Sequence, residues 1–171
     1  MKIIRCNESH LEEYQYVARQ SFIDAFEKVS DPESFKSYIS TAFLPDILRG
    51  ELMGHKMAIY FLQNDENETV GYLKLRWDRS EEFFSNESAL ELQRIYLLQQ
   101  FWSKGYGKTL LDFGEKYALE HDFEWIWLVV WSENHGAIRF YEREGWEKFA
   151  HKDFQFGNEI HVDPVFKKRI K

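Results

Sequence analysis

A chain of 171 residues, 44% hydrophobic and 18% aromatic, can bury a sizeable core and fits a single domain over residues 1–171. Its formal net charge of −7 disfavours a nucleic-acid partner, and its one cysteine, Cys6, excludes an internal disulfide framework. Met1-Lys2 leads into mixed polar sequence without a signal-peptide apolar core, and the longest apolar run, Trp125 to Trp131, is far short of the roughly 20 residues that span a bilayer, so the chain reads as cytoplasmic and outside the membrane.

Met1 to Cys6 reads as a short strand, with Asn7 or Ser9 able to cap the next helix. In Leu11 to Phe26 the residues Leu11, Tyr14, Val17, Ala18, Phe22 and Phe26 recur at helical spacing. Ser30-Asp31-Pro32 restarts a second helix through Phe35, Tyr38 and Ile39, and a third runs from about Pro45 to Leu52. The period then changes: Met57 to Leu62 and Val70 to Trp77 form a hairpin about the polar turn Asn64 to Asn67. Ser80 to Ser88 is a loop, Ala89 to Leu98 a strand, Ser103 to about Glu120 a helix. Glu124 to Trp131 is almost continuously apolar, as in a strand buried on both faces. Asn134 to Arg143 is a helix ended by Gly145, and strands around Glu147 to Phe154 and Glu159 to Phe166 turn at Gly157-Asn158. The basic end, Lys167 to Lys171, reads as solvated. This order predicts a mixed α/β sheet covered by helices, without repeats or linkers.

The stretch "WSKGYGKTLL", residues 102 to 111, carries two glycines at the start of a helix. A P-loop needs a glycine five positions before Gly107, where Trp102 stands; a dinucleotide fingerprint needs a third glycine, where Leu110 stands. What remains is a helix N-terminus whose unpaired N–H groups, approached closely over Gly105 and Gly107, suit a phosphate. The alternative is that the glycines only let the helix pack tightly. The six histidines, at 10, 55, 121, 135, 151 and 161, never take spacings such as HExxH, and one cysteine cannot build a zinc site, so no metal is expected.

The stretch "LELQRIYLLQQFWSKGYGKTLL", followed one strand later by "WLVVWSENHGAIRFYEREGW", resembles the GNAT N-acetyltransferases. Their acetyl-CoA motif is Q/R-x-x-G-x-G/A, and the later segment is N-x-x-A-x-x-F-Y-x-x-x-G-F/W; Asn134, Ala137, Phe140, Tyr141, Gly145 and Trp146 match the second position for position. "SFIDAFEKVSDPESFKSYISTAF" and the tail "FQFGNEIHVD", with Gly157 and Asp163, extend the likeness to the PaiA-type spermine/spermidine acetyltransferases. Trp102 stands where that family has Gln or Arg, and Ser103 where Gly is common.

The resemblance implies a GNAT-like mixed, mostly antiparallel sheet of about seven strands flanked by helices. It implies acetyl-CoA as cosubstrate and transfer to a primary amine by direct attack in a ternary complex. A polyamine such as spermidine or spermine is the first acceptor, suited by Asp24, Glu27, Asp31, Glu33, Glu81, Glu82 and Glu87. A protein N-terminus, an aminoglycoside or an amino acid are the other acceptors, and a non-catalytic acyl-CoA-binding module is the other class. The partner is thus a small molecule, and the chain a monomer or homodimer. Glu91 is the candidate base, or else a strand-end carboxylate paired with a lysine or arginine, with the neighbouring acids able to take its place. Tyr141 is the candidate acid toward the departing thiolate, or else a core tyrosine. Alternation places Ala89, Glu91, Gln93, Ile95 and Leu97 on one face. The resemblance also implies backbone contacts to the cosubstrate from Ile95, Tyr96 and Leu97, the pyrophosphate loop from Trp102, Ser103, Lys104, Gly105, Tyr106, Gly107 and Lys108, and contacts from Asn134 and Arg143.

Overall fold

A computed structural model describes residues 1–78, 83–84, 88–156 and 159–171. Seven strands form one sheet in the order β1-β2-β3-β4-β5-β7-β6: β1 Lys2–Arg5, β2 Met57–Gln63, β3 Thr69–Arg76, β4 Ala89–Leu97, β5 Trp125–Val129, β6 Glu147–Phe156 and β7 Glu159–Arg169. Every neighbouring pair is antiparallel except β4 and β5, which are joined by a helical crossover. The helices are α1 Leu11–Phe26, α2 Pro32–Ala42, α3 Pro45–Met53, α4 Tyr106–Glu120 and α5 His135–Arg143. Among the described residues no helix is long and apolar enough to cross a membrane.

Two apolar layers cover the sheet. On one face Leu110, Leu111, Tyr117 and Ala118 of α4 pack on Leu73, Leu75, Leu90, Leu92, Ile126 and Leu128, with α5 joining through Ile138 and Tyr141. On the other, Tyr14, Val17, Phe22 and Phe35 of α1 and α2 pack on Ile59, Phe61 and Tyr72. Trp127 lies in a third cluster with Phe84, Ala89 and Val165, so β5 is buried on both faces, as its apolar run predicts.

Three expectations differ from the structure. Helix α4 begins at Tyr106 rather than Ser103, because Ser103 (φ 60°) and Gly105 (φ 85°) are both left-handed and cannot continue a right-handed helix. The basic end is not a solvated tail. Lys167, Lys168 and Arg169 pair with β5, Lys168 Nζ is 2.8 and 2.9 Å from the Glu115 carboxylate oxygens, and Lys167 Nζ lies 4.4 Å over the Trp125 ring. Periodicity shows none of this, since charged side chains on β7, which lies between β5 and β6, find partners only in the fold. The single-face alternation along β4 fails after Gln93. Register runs Lys74↔Arg94 and then Leu75↔Leu92, leaving Gln93 as a bulge. The loop at 80–88, apart from Phe83, Phe84 and Ser88, and the turn at Gly157-Asn158 lie outside the described residues, as do Glu81, Glu82 and Glu87.

Buried phenols make the fold sensitive to alkali. Tyr14 and Tyr72 are fully buried, and burial raises both hydroxyls well above the ordinary tyrosine value. A raised folded-state pKa contributes stability that is whole below about pH 10 and is lost as pH rises further, by about 1.4 kcal/mol per pH unit for each tyrosine. We expect the melting temperature to fall above pH 10 for wild type and less steeply for Tyr72→Phe; an identical slope in the variant would contradict this.

Candidate active site

Strands β4 and β5 run side by side only over Ala89↔Trp125, Leu90↔Ile126 and Glu91↔Trp127. Past Glu91 they part, and β4 continues to Leu97 bonded on its β3 side alone. Leu98 N–H donates to Val70 O on β3, so alternation turns the backbone of Tyr96 toward β3 and that of Ile95 and Leu97 toward the gap. Gly71 confirms the direction: a Cβ there would stand 2.3 Å from Tyr96 O. Leu97 O accepts a 2.9 Å hydrogen bond from the Trp102 indole, again on the gap side. Of the three expected backbone contacts, Ile95 and Leu97 thus face the opening, while Tyr96 is held in the ladder and contributes its side chain. The opening lies beyond the carboxyl ends of a parallel pair, where α/β sheets commonly bind ligands.

On the α4 face, the loop from Trp102 to Gly105 leads into the first turn of α4. Gly105 is the N-cap and carries no side-chain cap, leaving the early N–H groups of Tyr106, Gly107 and Lys108 without helical carbonyls. The left-handed Ser103 and Gly105 curve the backbone into a concavity of N–H groups. A Cβ on Gly105 would project into open space. The basic side chains differ in freedom. Lys104 Nζ rests 5.4 Å over the Phe101 ring, whereas Lys108 pairs with Asp112 and with Glu144 at 3.2 Å, and Arg143 Nε lies 3.8 Å from Glu144. Asn134 caps α5, its Oδ1 accepting from Ala137 N–H at 3.0 Å. Tyr141, half-buried among Phe140, Trp146 and Phe166, is on this same face. Burial pushes its hydroxyl above the ordinary tyrosine value.

On the opposite face the gap opens into a cavity of about 270 Å³. Glu91, Gln93, Arg94 and Tyr96 of β4 form one wall; alternation serves 91 and 93, the bulge shifts it by one, and 94 and 96 follow on the same side. Ile95 and Leu97 turn instead toward the α4 layer. Phe22, Phe26, Tyr38, Trp131, Phe154 and Phe156 line most of the rest, with Lys152, His161 and Asp163. Glu91 is buried, its Oε2 3.7 Å from Arg76 Nε, while Arg76 also grips Asp78 at 2.6 and 2.7 Å. Asp163 accepts from Ser132 N–H at 2.9 Å and so anchors the loop after β5. Glu91 and Gln93 share this wall as alternation predicts, whereas Arg94, Tyr38, Trp131 and His161 were not among the expected site residues. The available signal was the polar pair Gln93-Arg94, two residues after Glu91, inside a strand that is otherwise apolar. Among the described residues, no three or more His, Cys, Asp or Glu cluster as a metal site would require.

Residues 12–146 match the acetyltransferase (GNAT) family. The chain belongs to that family. An uncharacterized N-acetyltransferase in the pepI 3′ region of Lactobacillus delbrueckii subsp. lactis is 33% identical over 170 residues, covering 99% of this chain and 98% of that protein. The fold is shared with the PaiA N-acetyltransferase of Thermoplasma acidophilum, solved in complex with coenzyme A (TM-score 0.77, 22% identity, 98% of each chain). It is also shared with a mutant of the spermidine N-acetyltransferase SpeG from Vibrio cholerae (TM-score 0.72, 14% identity, 99% of this chain and 93% of that one). The protein is therefore a GNAT acetyltransferase with acetyl-CoA as its cosubstrate.

Gly105 and Gly145 provide a matched test of the anion site, since both have φ above 80° and neither Cβ would meet an atom within 4 Å. Alanine at either should cost about 1 kcal/mol through backbone strain. Only Gly105→Ala should also weaken coenzyme A, read as a smaller ligand-induced rise in melting temperature. Equal rises in both variants would contradict an anion site at the start of α4.

Proposed function

We propose that this GNAT enzyme acetylates a small primary amine held in the aromatic cavity, by direct attack in a ternary complex. The observation that carries the reading is the parting of β4 from β5 beyond Glu91. It gives one strand segment access to an anion-binding helix start on one face and to a carboxylate-bearing cavity on the other. Coenzyme A's pyrophosphate fits the N–H groups at Gly105 to Lys108, with Lys104 beside them, and the bound cosubstrate supplies the acetyl thioester. The gap-facing N–H groups of Ile95 and Leu97 suit the acetyl oxygen; one such donor is worth roughly 3 kcal/mol to an oxyanion.

An aliphatic amine arrives protonated, with a pKa near ~10.4, and must lose a proton to attack. Glu91, on the cavity wall, takes that role, directly or through water. As the new C–N bond forms and the C–S bond breaks, the sulfur needs a proton, and Tyr141 stands on the cosubstrate's face to give one. Its raised pKa keeps the phenol protonated throughout the neutral range. Base and acid thus lie on opposite faces of the sheet, matching the two sides of the reacting bond.

A polyamine acceptor is a second reading, favoured by the net charge of −7 and by a structural neighbour named for spermidine. Within the cavity, however, Glu91 and Asp163 are balanced by Arg94 and Lys152, and two acids expected to gather a polycation have local duties. Asp31 caps α2, and Asp24 accepts from Gln99 N–H.

Thiol release from acetyl-CoA across a panel of amines, spermidine included, tests both readings. Glu91→Gln should lower kcat by ~10²–10⁴-fold, and Tyr141→Phe by nearer ~10²-fold, with little change in melting temperature. Because the Tyr141 pKa is raised, loss of its proton should reduce turnover only above about pH 10, the ordinary tyrosine value. Coenzyme A binding without turnover of any amine would leave an acyl-CoA-binding module instead.

A further inference from the structure

Arg94 sits in the cavity wall with fewer partners than its chemistry demands. A guanidinium carries five N–H donors and keeps its charge at any working pH. Here Nη2 reaches the Tyr38 hydroxyl at 3.4 Å, and Nη1 lies 4.0 Å from Glu51 Oε1, buried without a hydrogen-bond acceptor among the described residues. Glu51 does not complete it, because its Oε1 is 2.5 Å from Lys74 Nζ and its Oε2 accepts from the Tyr14 hydroxyl at 2.6 Å. A buried cation with unmet donors is costly, and an oxyanion entering the cavity would meet them.

The residue before it shows the opposite need. Gln93 Oε1 is a buried acceptor without a donor among the described residues. With Glu91 two positions earlier, it forms an acceptor-rich stretch of the same wall, suited to the N–H groups of an ammonium. The bulge therefore sets acceptors beside a buried cation that, despite Tyr38, Tyr72 and Glu51 nearby, keeps a donor to spare. Around them the aromatic side chains leave room for an apolar body.

We propose that the natural acceptor is an amine that carries its own carboxylate, the amine resting at Glu91 and Gln93 and the carboxylate taken by Arg94. This rests on the acetyltransferase reading above and narrows its substrate class. A polyamine has no group for Arg94, and one of its further ammonium groups would face that cation.

Matched pairs that differ only in the carboxylate test it: 6-aminohexanoate against pentylamine, 4-aminobutyrate against propylamine, and phenylalanine against phenethylamine, each followed by thiol release from acetyl-CoA. In wild type, the carboxylate-bearing member of at least one pair should have a kcat/KM higher by ~10–100-fold, the range of a hydrogen bond to a charged group. Arg94→Gln should bring that ratio close to one. Arg94→Lys, which keeps the charge but loses the paired donors, should leave an intermediate ratio and serves if the glutamine variant does not fold. Turnover of the plain amines with no gain from a carboxylate in any pair would overturn the proposal alone. A ratio that survives in Arg94→Gln would overturn it as well. Coenzyme A binding with no turnover of either member would overturn it together with the acetyltransferase reading.

Discussion

Where β3 passes from Lys74 to Leu75, β4 uses an additional residue, Gln93, and everything at the site depends on how that extra residue is accommodated. A regular strand would alternate strictly, sending Arg94 and Tyr96 into the α4 layer and Ile95 and Leu97 into the cavity. The bulge reverses the phase. Polar Glu91, Gln93 and Arg94 then share the cavity with Tyr96, while the apolar pair joins Leu110 and Leu111 beneath α4. Bulges also bend and twist a strand, and β4 leaves β5 directly before this one, after Glu91↔Trp127.

The surrounding structure holds that departure open. Tyr96 O abuts Gly71, which keeps the end of β4 close to β3. Asp163 ties the loop after β5 to β7 through Ser132 N–H, and Val130 N–H donates to Pro164 O, so β5 is drawn toward β7. Below the cavity, Glu51 joins α3 to β3 and β4. Burial alone would raise its pKa, yet the charges of Lys74 and Arg94 outweigh this and hold it low. Lys74 in turn is lowered to about 8, chiefly by burial. Such a network is costly to build and strongly destabilised by loss of one member, which fits a role in placing Arg94 rather than in adding stability.

Much of the fold was legible because its periodicities are strong. The stripe Tyr14, Val17, Ala18 and Phe22 marks α1 to its observed bounds, and the continuous apolar run around Trp127 marks a strand covered on both faces. The paired motifs from Leu90 to Trp146 pointed to the family and to Glu91. Three features stayed hidden. A bulge arises from pairing with another strand, so β4 alone does not reveal its phase. The start of α4 depends on left-handed Ser103, a conformation uncommon outside glycine. Lys168 looks solvated until Glu115 of α4 is brought beside it. Each depends on a neighbour distant in sequence, and that is where reading local pattern stops.

Residue-resolved amide hydrogen exchange of the free enzyme and of its acetyl-CoA complex tests the central claim most directly, because it reads the two sides of β4 separately. The amide of Tyr96, bonded to β3, should be protected in both states. Those of Ile95 and Leu97, facing the gap, should exchange quickly in the free enzyme and become protected when acetyl-CoA binds. Protection of Ile95 and Leu97 in the free enzyme, or exchange unaltered by acetyl-CoA, would contradict the account in which the parted strand receives the cosubstrate.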